Sequence, residues 1–199
     1  GPSFPETPSG NANAIDEAVV GPLGFLDLLE TGLGLKGPST PAVLRIAQYW
    51  SRLRAIDVGD QFFSASLEAD GWATARLLLA WRDDLVAAGW APDTKSWQSD
   101  RLATIADAEA REEFALGPGV PDRVLSLTGC LSIRPIERLT LVDDLEQLPL
   151  AWRQLIEALA AVGTEIDLHT AAPSASEGDL AAVQTLLSGG PTGDLAGDG

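Results

Sequence analysis

Apolar residues recur at three- and four-residue steps through most of the chain, the period of a helix that buries one face. Over residues 41–57, Ile46, Trp50, Leu53 and Asp57 repeat at +4, +7 and +11, and only the last is polar. Thr40 is placed to cap that helix, and Pro41 suits its first turn. A longer helix is expected over 71–88, with Asp70 as its cap and Gly89 as its stop. Its apolar face reads as Leu77, Leu78, Trp81, Leu85 and Ala88, with Arg76 and Asp83 opposite. Shorter helices are expected over 25–35, 100–115, 121–131, 148–162 and 178–187. Residues 134–142 (RPIERLTLV) form the best strand candidate, 164–169 a second, and 15–20 a short one ahead of the Gly21-Pro22-Leu23-Gly24 turn.

The back half therefore reads strand–helix–strand–helix, which implies a parallel sheet, while the front half reads helix upon helix. The expected fold class is helix-rich α/β. Residues 15–187 are expected to form one domain, between a loosely attached arm (1–14) and a linker or cut end (188–199), both rich in Gly, Pro and Ser. The opening Gly1-Pro2 reads as the scar of a protease cut.

With 199 residues and 45% hydrophobic content, the chain can bury a sizeable core. No apolar run approaches the roughly 20 residues of a membrane span, and no basic-then-apolar leader opens the chain. A cytoplasmic protein with no membrane partner is the expectation. The single cysteine, Cys130, excludes an internal disulfide and a multi-cysteine zinc cage, which suits a reducing compartment. There is no Met, which fits an internal start point in a longer polypeptide.

The net charge of −16 opposes binding of the whole chain to nucleic acid or anionic membrane. The charge is uneven. Residues 1–20 hold three acidic groups, residues 164–199 hold six, and neither stretch holds a basic one. The middle, 21–163, carries 20 acidic and 13 basic groups, or −7.

Candidate chemistry is sparse. Acyl transfer needs a nucleophile, a base and an orienting group. The only histidine is His169, and its one conceivable partner, Cys130, lies in no known signature. Asp143-Asp144, after the best strand, could hold a divalent cation at a sheet mouth, but reads more simply as a capped strand-to-helix turn. Asp83-Asp84 sits on a helix, where at least one carboxylate is expected to be solvated. Asp93-Thr94-Lys95 matches the D-x-K tripeptide of metal-dependent nucleases, yet falls in a loop with no partner carboxylate placed before it. Gly21 and Gly24 frame a turn where a phosphate loop would sit, without the Gly-Lys-Ser/Thr ending and with Pro22 removing an N–H. No cofactor is expected in this chain.

Nucleic-acid contact needs a local basic face. Arg45 and Arg52, seven residues apart beside Gln48, are the candidates, with an ordinary solvated face as the alternative; Arg54 lies elsewhere on the same helix. The six tryptophans (Trp50, Trp72, Trp81, Trp90, Trp97, Trp152) fall mostly on apolar faces, where packing explains them better than base stacking.

Three stretches carry a resemblance: GPLGFLDLLETGLGLKGP (21–38), FFSASLEADGWATARLLLAWRDDLVAAGW (62–90) and LPLAWRQLIEALAAVGTEI (148–166). Together they resemble the N-terminal region of large bacterial proteins of the PD-(D/E)XK nuclease family, similar to RecB/AddB-type exonucleases with a helicase-like body before a C-terminal nuclease. The resemblance implies a DNA-repair or recombination setting and a helicase-like module that has lost ATP hydrolysis. The family's nuclease carboxylates and lysine would lie beyond residue 199, so none is carried over. The acidic charge departs from the pattern and argues against direct DNA contact by this piece.

Three functions follow as expectations. The first is a non-catalytic, helicase-like module of a DNA-processing exonuclease, partnered by the remainder of the polypeptide and, through it, by DNA. The second is a self-contained acidic module that binds a protein partner through Trp-bearing helices. The third is a small hydrolase using Cys130 or Asp143-Asp144.

Overall fold

The computed structural model describes residues 17–37, 39–92 and 99–169. In chain order these fold into α1 (Pro22–Gly32), α2 (Ala42–Ile56), α3 (Ser64–Ala69), α4 (Gly71–Ala87), α5 (Asp100–Glu109), α6 (Val120–Cys130), β1 (Arg138–Leu141), a 3-10 turn (Leu145–Gln147), α7 (Leu150–Ala161) and β2 (Glu165–Leu168). The architecture is helix-rich, with one two-stranded parallel sheet. The expected arms (1–14 and 188–199), the helix over 178–187, Trp97 and the Asp93-Thr94-Lys95 tripeptide lie outside the described residues.

Local chemistry sets the helix ends. Asp70 Oδ1 accepts from the Ala73 N–H at 2.9 Å and caps α4. At the other end, Gly89 takes φ +90, which lets the Trp90 N–H reach back to the Leu85 carbonyl and close the last turn. Gly163 does the same after α7, where the Thr164 N–H reaches the Leu159 carbonyl. Thr40 does not cap α2; the N-cap is Pro41, which has no side-chain donor or acceptor. Residues 17–20 have no regular structure, so the described part of the expected first strand is not one. Gly21 is the N-cap of α1 and Gly24 lies within its first turn. With Pro22 starting the helix directly, no open phosphate loop separates it from a strand.

Strands β1 and β2 pair in parallel, with Arg138 opposite Glu165, Leu139 opposite Ile166, Thr140 opposite Asp167 and Leu141 opposite Leu168. Helix α7 is the crossover between them. The alternation puts the charged pairs on the outer face, where Arg138 meets Glu165 at 2.8 Å and Asp167 at 3.5 Å. Leu139 packs inward against the core under α7.

Two main cores result. Tyr49, Leu53, Ile56, Phe63, Leu67, Ala75, Leu78, Leu79 and Ala108 join α2, α3, α4 and α5. Leu26, Leu29, Val124, Leu127, Ala151, Leu155 and Leu159 join α1, α6 and α7. A smaller cluster of Val86, Trp90 and Ile105 closes the far end of α4. Helix α4 packs on α2 and α3 from the first core and on α6 and α7 from the second, so it bridges the two halves.

The expected face of α4 is displaced around the helix. Thr74, Ala75, Leu78, Leu79, Arg82 and Val86 are buried, whereas Leu77 and Trp81 are 51% and 39% exposed. Large apolar residues stand on both the inner and the outer side of this helix, so periodicity alone does not choose its inner face. The inward arginine chooses it.

Candidate functional site: a buried ionic cluster

Three guanidinium groups and three carboxylates meet between the two cores. Arg45 and Arg52 come from α2, Arg82 and Asp83 from α4, Glu109 from the last turn of α5 and Asp122 from the first turn of α6. Three positive and three negative charges make the cluster neutral.

The geometry is dense. Arg45 grips Asp83 with two bonds, Nη1 to Oδ2 at 2.7 Å and Nη2 to Oδ1 at 2.9 Å. Arg82 grips Asp122 the same way, at 2.8 and 2.7 Å, and adds Asp83 Oδ1 at 3.0 Å and Glu109 Oε2 at 3.1 Å. Arg52 Nη1 lies 3.4 Å from Glu109 Oε1. Both oxygens of every carboxylate in the cluster thus face a cationic donor. Paired forks of this kind are the strongest hydrogen bonds available to side chains.

The cluster also fastens the loop between α5 and α6. Arg45 Nε donates to the Gly117 carbonyl at 2.9 Å, and Arg52 Nε donates to the Phe114 carbonyl at 2.8 Å. Gln48 Oε1 accepts from the Gly117 N–H at 2.9 Å, and Asp122 Oδ2 from the Gly119 N–H at 2.7 Å. Arg45 presses so closely on Gly119 that a Cβ there would lie 2.6 Å from Nη2. Only glycine leaves room for that approach.

Burial pulls the Arg82 guanidinium down, but the hydrogen bond to Asp122 and the charges of Glu109 and Asp122 outweigh it, so its net pKa shift is upward. Beside the cluster, the Tyr49 hydroxyl is fully buried and has no hydrogen-bond partner. Burial and the Glu109 charge push it well above the ordinary tyrosine range. A smaller ionic clamp ties α1 to α6, where Arg123 meets Asp27 at 2.6 Å and Glu30 at 2.7 Å.

The expected sites take these positions. Arg45 and Arg52 do not form an outward basic face: their side chains are 11% and 9% exposed and their charges are spent on carboxylates. Both expectations, a face for nucleic acid and a solvated face, had these guanidinium groups pointing outward; instead they are paired in the interior. Asp83 joins the cluster and Asp84 is exposed. Asp143 and Asp144 lie exposed in the turn after β1; Asp144 precedes the 3-10 turn without a side-chain cap bond, and the N-cap of α7 is Pro149. Cys130 is exposed at the end of α6, and His169 is exposed after β2, its backbone N–H bonded to the Leu141 carbonyl. Among the described residues, no group of three His, Cys, Asp or Glu is arranged to hold a metal ion, and no helix is long and apolar enough to cross a membrane.

Arg82, Glu109 and Asp122 were missed by sequence reasoning. A signal for Arg82 existed. It stands in phase with Ala75, Leu78 and Val86 on the buried side, so a charge sat where the helix needed an apolar group.

Compared with known proteins, the chain matches no family model, no curated protein and no solved structure.

Proposed function

We propose that this chain is a rigid, non-catalytic scaffold, the helicase-like N-terminal module of a larger DNA-processing exonuclease of the kind its sequence resembles, in which DNA is contacted by other parts. The observation that carries the reading is the inward placement of Arg45, Arg52 and Arg82. Four helices and the loop before α6 are pinned by one neutral ionic cluster, which favours a fixed shape over a moving one. With these cations paired internally, the outward charge is dominated by carboxylates, and phosphate backbones are repelled.

A second reading, a self-contained acidic module that binds a protein partner, is favoured by the partial exposure of Trp72 and Trp81 on α4. The mass of the native polypeptide separates the two. An immunoblot band several-fold heavier than 20.9 kDa supports the scaffold of a larger protein, and a band near 20.9 kDa supports the self-contained module.

The DNA half of the proposal is tested by anisotropy of a labelled blunt-ended duplex titrated with the chain in about 0.15 M salt. The expected result is no saturable rise below about 100 μM, the weak end of non-specific affinity. Saturable binding at low micromolar concentration overturns it.

A further inference from the structure

A cleft of about 380 Å³ opens beside the end of α2, lined by Trp50, Arg54 and Asp57 from that helix and its C-cap and by Leu67 and Glu68 from α3. Its size falls at the small end of ligand sites, which run from roughly 300 to 1,000 Å³. The positions on α2 follow at steps of four and three, so one side of the helix presents an aromatic, a cation and an anion together. The apolar wall is firm. Leu67 belongs to the first core, and Trp50 packs against that core with Nε1 close to the start of α4, where a Cβ at Gly71 would lie 2.7 Å away. Asp57 is held as well: its Oδ1 accepts from Ser64 Oγ at 2.6 Å and from the Gly59 N–H at 3.0 Å.

The charges of this cleft are unspent. Among the described residues, Arg54, Asp57 and Glu68 form no ion pair with one another or with any neighbour. In the interior cluster every carboxylate meets a guanidinium; here one cation and two anions line a common space without meeting. A ligand complementary to them carries one negative and two positive groups, with an apolar stem for Trp50 and Leu67. A basic α-amino acid has that composition: a carboxylate, an α-ammonium and a side-chain cation on an aliphatic stem. A guanidinium fork matches a carboxylate in shape as well as charge. The net charge of −16 draws a ligand of net positive charge towards the chain.

We propose that this cleft binds a free basic α-amino acid of the size of lysine, with Arg54 on its carboxylate, Asp57 and Glu68 on its two cations, and its stem along Trp50 and Leu67. The inference is independent of the scaffold reading, since it asks only for the cleft between α2 and α3 and not for DNA or the rest of a larger protein.

Isothermal titration calorimetry of the full chain with L-lysine tests the proposal. Saturable binding is expected with a Kd of about 1 mM or tighter, together with a shift of the Trp50 indole N–H resonance in an NMR titration. Norleucine, which lacks the side-chain cation, and cadaverine, which lacks the carboxylate, are each expected to bind at least about tenfold more weakly, for the loss of one charge-assisted bond. Arg54→Gln and Glu68→Gln, both at exposed positions, are each expected to weaken lysine binding at least about tenfold. Arg54→Gln is also expected to leave cadaverine binding no weaker than in wild type, because cadaverine has no carboxylate for Arg54 to hold. Circular dichroism checks that each variant keeps its helix content. No saturable binding of lysine below about 10 mM overturns the proposal, as does norleucine or cadaverine equal to lysine, or a folded variant that binds lysine like wild type.

Discussion

Arg82 Nε and Glu109 Oε2 stand 3.1 Å apart across 27 positions of sequence, with the two side chains only 10% and 9% exposed. Each charge in that place needs its ion pairs, because desolvation is offset by Glu109, Asp122 and Asp83 for Arg82 and by Arg82 and Arg52 for Glu109. The relationship ties α4 to α5, and the other bonds of Arg82 extend the tie to α6.

Removing one partner leaves the other buried and uncompensated. Arg82→Met is therefore expected to lower unfolding free energy by about 3–5 kcal/mol, measured by urea denaturation. Replacing the whole cluster by apolar residues of matching size is expected to cost far less than the sum of the single changes. A loss under about 1 kcal/mol for Arg82→Met would show that the cluster is not what holds α4, α5 and α6 together.

Gly71 begins α4, where alanine normally improves a helix by roughly 0.5–1 kcal/mol. Here a Cβ would lie 2.7 Å from Trp50 Nε1. Gly71→Ala is expected to reverse the usual sign and destabilise by about 1–3 kcal/mol, because the indole must move off the helix start. Denaturation midpoints, read with the Trp fluorescence, check it.

Tyr49 is the only tyrosine, so tyrosinate absorbance reports it alone. Its buried hydroxyl has no partner, and Tyr49→Phe is expected to be neutral or to stabilise by up to about 1 kcal/mol at neutral pH. The pH dependence follows from the upward shift. The neutral phenol is favoured in the fold, so this contribution is complete below the unfolded value near 10 and is lost as pH rises above it, at about 1.4 kcal/mol per unit. Between about pH 9 and 11, wild type should lose more stability than Tyr49→Phe; equal losses would mean the hydroxyl is reached by water.

Asp27 is held below the usual carboxylate value chiefly by its hydrogen bond from Arg123. Its contribution is therefore present above that usual value and fades as pH falls towards the lowered one. Arg123→Gln is expected to raise the Asp27 titration midpoint in an NMR titration. An unchanged midpoint would place the control elsewhere, with Lys36.

Much of the secondary structure was legible in the sequence, because caps and stops are local. Asp70, Gly89 and Gly163 mark helix ends through bonds to residues a few positions away. The parallel pairing of β1 and β2 also follows from a strand–helix–strand order. The site was not legible. Arg45 and Arg52 share a helix side whether they face water or carboxylates, and their partners Asp83, Glu109 and Asp122 lie on other elements. Only the tertiary fold brings those groups together. The inner face of α4 was misread for the same reason: Leu77 and Trp81 are as apolar as Leu78 and Leu79, and the turn of the helix is set by where Arg82 finds its carboxylates.

The central claim is that Arg45 and Arg52 of α2 are spent on carboxylates in the interior, which under the proposed function leaves them no part in holding a nucleic acid. Arg52→Met, measured both by urea denaturation and by anisotropy with a labelled duplex, tests it directly. The account expects a stability loss of about 3 kcal/mol or more, or loss of the cooperative transition, with no change in DNA titration. Stability unchanged within about 0.5 kcal/mol, together with weakened DNA binding, would contradict it.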